Sequence, residues 1–92
     1  METETFELTG KDVRDYFEND PENQDQLEKG DRVIVTLYHE RKAATWMVVP
    51  EGENPGNFVS EEDDYEGVVL FLVEHDFTSE DLVAARKAQL GL

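Results

Sequence analysis

The chain has 92 residues, 23 Asp and Glu against 8 Lys and Arg, a formal charge of −15 and a hydrophobic fraction of 38%. That length suits one folded domain over residues 1–92, able to bury roughly two-thirds of its unfolded surface. The absence of cysteine excludes disulfides, zinc–thiolate sites and a thiol nucleophile, and the charge argues against direct contact with nucleic acid or an anionic membrane.

In chain order, "ETFEL" (4–8) alternates weakly and predicts an edge strand. In "LTGKDV" (8–13), Thr9 reads as a helix cap, Asp12 as its capping-box acid, and Leu8 with Val13 as a hydrophobic staple. This helix carries Val13, Tyr16 and Phe17 on one face and should end near Asn19, before Pro21. Residues 20–29, polar apart from Leu27, read as a loop or a short second helix. "DRVIVTLYH" (31–39) and "AATWMVVP" (43–50), separated by "ERK", predict a β-hairpin. Residues 51–66 form a long acidic loop, with Phe58, Val59 and Tyr65 as its anchors. "GVVLFLVE" (67–74), apolar on both faces, predicts a central strand covered by helices. "FTSEDL" (77–82) repeats the cap grammar with Thr78 and Asp81, and opens a helix over about 79–90 that ends by Gly91. The fold class is α+β: a single antiparallel sheet of three to four strands with two helices packed on it, in the order (β)-α-β-β-β-α.

Nothing in the pattern points to an enzyme, a cofactor or a metal. "SEEDDYEG" (60–67) has the acids of a calcium loop without their alternating spacing. His39 and His75 are the only histidines, a thin basis for a transition-metal site, and they read as surface residues held by neighbouring acids. Paired carboxylates carry little information when 23 acids guarantee close pairs. Trp46 and Tyr38 on the hairpin read first as sheet-face packing and second as partner anchors. The longest apolar run is six residues, against about 20 for a spanning helix, and "METETFELTG" has no signal-peptide pattern. The expectation is a cytoplasmic protein.

The charge is carried in blocks. Residues 1–31 hold −8 and residues 51–81 hold −11 without a single Lys or Arg, while 32–50 and 82–92 are each +2. The acids expected to meet a partner are Asp12, Asp15, Glu18, Glu22 and Asp25 in the first block, and Glu61, Glu62, Asp63, Asp64 and Glu66 in the second. On a continuous helix the first set, which runs on to Glu28, would draw one carboxylate stripe, interrupted where Pro21 breaks it. Such a field attracts a basic protein surface, and spaced carboxylates can stand in for duplex phosphates. In size, acidity and lack of cysteine the chain resembles the nucleic-acid-mimic inhibitors that phages and mobile elements use against restriction or CRISPR machinery. That resemblance implies a basic groove as target and assigns no residue a role. The expectation is therefore a non-enzymatic acidic protein-binding domain, with such an inhibitor as its most specific form. The alternative is a small domain of a halophile, acidic for solubility, acting as an accessory or regulatory subunit.

Overall fold

In the computed structural model, which describes residues 3–25, 27 and 30–92 and leaves aside the side chains of Asn23 and Asp25, four antiparallel strands form one sheet. The strands are β1 (Thr3–Thr9), β2 (Arg32–Tyr38), β3 (Ala43–Val49) and β4 (Glu61–Asp63), hydrogen-bonded in that order. The helices are α1 (Lys11–Tyr16), α2 (Pro21–Asp25), α3 (Tyr65–Glu74) and α4 (Glu80–Gln89). With neighbouring helices taken together the order is β-α-β-β-β-α, the expected α+β arrangement.

The two-residue period of β2 decides which face is covered. Val33, Val35 and Leu37 are buried, while Arg32, Ile34, Thr36 and Tyr38 are half-exposed. Leu8 of β1 and Ala44 of β3 sit in register on the same side. Against them pack Val13 and Phe17 from α1 and its following turn, Val68, Val69 and Leu72 from α3, and Leu82 from α4. Full burial of each such aliphatic side chain contributes about 1.5–3 kcal/mol. Trp46 is half-buried with its ring 4.9 Å from that of Phe17, as sheet-face packing requires. Arg41 lies over the Tyr38 ring at 4.4 Å. No helix among the described residues is long and apolar enough to cross a membrane.

One predicted strand is a helix. Residues 67–74 belong to α3, and the fourth strand is instead the acidic triplet Glu61–Asp63. The stretch is apolar on both faces because Val68, Val69 and Leu72 enter the core while Leu70, Phe71 and Val73 are half-buried around it, not because it is a central strand. Its buried residues Tyr65, Val68, Val69 and Leu72 fall at i, i+3, i+4 and i+7, the helical template. Asp64 caps it, accepting a hydrogen bond from the Gly67 amide at 3.0 Å. The α3 terminus is a Schellman turn: Asp76 takes a left-handed φ of 68°, Phe77 N–H bonds the Leu72 carbonyl and Asp76 N–H that of Val73.

Two caps also differ from expectation. Thr9 ends β1, and α1 starts from Gly10, whose φ of 57° makes the strand-to-helix turn with no side-chain cap. At α4 the cap moves one residue, from Thr78 to Ser79, whose Oγ accepts the Leu82 amide at 3.1 Å. Pro21 opens α2 as its first residue, where its missing N–H costs nothing. The segment expected as an acidic loop holds a 3₁₀ turn at Pro55–Asn57, then β4 and the first turn of α3. Tyr65 anchors it in the core and Phe58 is half-buried, whereas Val59 is exposed. Arg32 ties its start to the sheet by donating to the Glu53 carbonyl at 3.0 Å.

Candidate functional site: an acidic cleft between α1 and α3

The helical state of 65–74 has a consequence for charge. It places Gly67, Leu70, Phe71 and Glu74 along one side of α3, opposite α1 and the end of β4. Between them lies a cleft of about 330 Å³. Four carboxylates line it: Asp15 and Glu18 from the first acidic block, Asp63 and Glu74 from the second. Tyr16, Val68, Leu70 and Phe71 supply its apolar surface, and Asn19 and His75 complete it. Two blocks far apart in sequence therefore meet at one concave surface.

The carboxylates there are held in place by neighbours. Tyr16 donates its hydroxyl proton to Asp63 Oδ2 at 2.7 Å, joining α1 to β4. Burial first, and then this hydrogen bond to a carboxylate, push the Tyr16 hydroxyl well above its ordinary range, so it remains a donor through neutral pH. Lys11 Nζ lies 2.7 Å from Asp15 Oδ2, one turn along α1. That hydrogen bond holds the Asp15 carboxyl below the usual aspartate range, and correspondingly raises Lys11. His75 packs on Phe71 at 4.3 Å and faces Asp12 at 3.3 Å and Asp15 at 3.9 Å. Tyr16 and Phe71 meet edge to face at 5.1 Å. The combination of anionic groups beside aromatic faces suits a guanidinium or ammonium group, through charge-assisted hydrogen bonds and cation–π contact.

Of the ten acids singled out in the sequence, Asp15, Glu18 and Asp63 line the cleft, and Asp12 reaches it through His75. Glu22 is exposed on α2, beyond the break that ends the stripe after Glu18, and the Asp25 side chain lies outside the described residues, as does Glu28. Glu61 and Glu62 are exposed on β4, in register with Trp46 and Thr45, so they lie on opposite sides of the sheet. Asp64 is committed to capping α3, and Glu66 lies on the far side of that helix with Lys42. Glu74, Tyr16, Phe71 and His75 were not singled out for the site. The signal for them was the i, i+3, i+4, i+7 pattern beginning at Tyr65, which fixes the side of α3 that carries Glu74.

A second polar cluster lies across the molecule. His39 Nδ1 is 2.6 Å from the Tyr65 hydroxyl and its Nε2 is 2.7 Å from Glu4 Oε1. When Tyr65 donates to Nδ1 and Nε2–H donates to Glu4, every partner is satisfied, and β1, the hairpin tip and α3 are joined. Burial, and then the Glu4 charge, raise the Tyr65 hydroxyl, so it is a pin rather than a nucleophile at neutral pH. Both histidines thus sit against acids, but the His39 side chain, 13% exposed, is largely buried and not the surface residue expected. Lys42 lies 5.5 Å over the Tyr65 ring, and a groove of about 290 Å³ runs from there to Ala85, Ala88 and Gln89 of α4. No group of three or more His, Asp or Glu among the described residues is arranged to hold a metal ion. Compared with known proteins, the chain matches no family model, and no curated protein or solved structure is detectably similar to it.

Proposed function

We propose that this chain is a non-enzymatic, cytoplasmic binding domain whose α1–α3 cleft receives basic side chains of a protein partner. The observation that supports this reading is the convergence of Asp15, Glu18, Asp63 and Glu74 on one cleft with aromatic surface. In its most specific form the domain inhibits a nucleic-acid-binding protein by occupying its basic groove. Fifteen net negative charges on a body 39 Å long are of the same order as the one charge per ~1.7 Å of a duplex axis. Association is steered by this field, so it is fast at low salt and weakens as the screening length falls to ~10 Å at 0.1 M.

A solubility role is supported for part of the charge. Glu22, Glu51, Glu53, Glu62 and Glu66 are exposed away from the cleft, as in a halophile domain whose acidity is adaptive. Titration with a short poly-arginine peptide, followed by NMR, separates the two. The binding reading expects amide shifts concentrated at residues 12–19, 63 and 67–75, fading steeply with salt. Shifts spread evenly over all exposed acids would leave only the solubility reading.

A further inference from the structure

The outward face of α4 differs in charge from the acidic cleft. Glu80, Ala84, Lys87 and Ala88 are exposed at helical spacing, and so form one stripe. Its charges cancel, on a chain of −15. Neither Glu80 nor Lys87 makes an ion pair among the described residues. Just beyond the helix, Leu90 is 56% and Leu92 85% exposed. The helix dipole accounts for the order of signs, acid first and base last. It does not account for exposed alanines and leucines beside them.

We infer that this stripe is a contact between two copies of the chain, with α4 packed antiparallel on α4 about a two-fold axis. The sign pattern selects the occupant: it is complementary to itself when reversed, which an isologous contact demands. An axis midway between Val83 and Ala84 sets Glu80 of each copy against Lys87 of the other, at equal distances on either side of the centre. In that register the exposed Leu90, three residues past Lys87, lies just beyond Glu80 of the other copy and adds apolar area at each end of the contact. Alanine at the crossing allows the helix axes to approach to ~8 Å. The acidic cleft, by contrast, would bring carboxylate against carboxylate if it met its own copy.

The contact is independent of the cleft's partner, and salt distinguishes the two. Dimerisation strengthens as salt screens the repulsion between two chains of −15, whereas cleft binding weakens. The test is sedimentation equilibrium in about 0.15 M salt, where a Debye length of ~8 Å leaves contact pairs intact. The wild-type chain is expected to dimerise reversibly. Lys87→Glu should weaken the dimer about tenfold, and so should Glu80→Lys, although the latter lowers the net charge. The combined variant should recover to within about threefold of wild type, since it restores both pairs reversed. Should a charge variant lose its helix by circular dichroism, Leu90→Ala is expected to weaken the dimer severalfold from an exposed position. A chain that stays monomeric at millimolar concentration overturns the inference, as does a Glu80→Lys dimer tighter than wild type.

Discussion

The two sides of α3 put the same kinds of residue to different uses. On the α1 side, carboxylates from both acidic blocks converge, and the groups that touch them are a tyrosine hydroxyl, one lysine and a histidine. On the α4 side, Glu66 shares a groove with Lys42, and Asp64 is spent on a helix cap. An acid's neighbours in sequence therefore say little about its role. Asp63 and Asp64 are adjacent, yet one faces the cleft and the other closes the first turn of α3.

Because α3 is the wall common to both sides, damage to its core face should erase the contrast altogether. Leu72→Ala, at a fully buried position, is expected to cost about 2–5 kcal/mol in urea unfolding. Loss of the Tyr16–Asp63 bond should affect the α1 side first. Tyr16→Phe removes the donor to Asp63 Oδ2 and leaves Oδ1 with the Asp64 amide, at a cost of about 0.5–1.5 kcal/mol because the carboxylate is exposed. The same bond sets a pH dependence. The folded hydroxyl titrates above its ordinary value of 10.0. Its contribution is therefore complete below pH 10 and lost as pH rises further, when the unfolded chain ionises first. Alkaline unfolding curves of Tyr16→Phe should be flatter than wild type, with a residual slope from Tyr65 and Lys11, which are also raised.

Smaller effects belong to the helix ends. Ser79→Ala removes the α4 cap for about 1 kcal/mol and should leave poly-arginine binding at the cleft unchanged. Asp76→Gly relieves a left-handed aspartate at the α3 terminus and should stabilise the fold by up to about 1 kcal/mol. It removes an exposed carboxylate outside the cleft, so its binding effect should be small.

The sheet was largely legible, and the reason lies in β2. Its strict alternation over Val33, Val35 and Leu37 leaves one reading, and the "ERK" turn sets the partner. The run at 67–74 misled because an apolar stretch of this length fits a buried strand or a buried helix equally by periodicity. What decides it is Tyr65 and Asp64, which lie just before the run and read as part of an acidic loop. The cleft was half legible for the same reason. Asp15, Glu18 and Asp63 stood out by charge, but Glu74 could be placed opposite them only once 65–74 was a helix. Glu22 dropped away because Pro21 starts a new helix with its own direction.

The central claim is that the cleft, and not acidity in general, binds basic partners. It is tested most directly by measuring poly-arginine affinity against salt for two variants of equal charge. One carries Asp15→Asn, Glu18→Gln, Asp63→Asn and Glu74→Gln; the other carries Glu22→Gln, Glu51→Gln, Glu62→Gln and Glu66→Gln. The cleft variant should lose at least tenfold in affinity and much of its salt slope, while the remote variant changes less than about threefold. Equal losses in the two would contradict the account and leave the charge as a property of the whole surface.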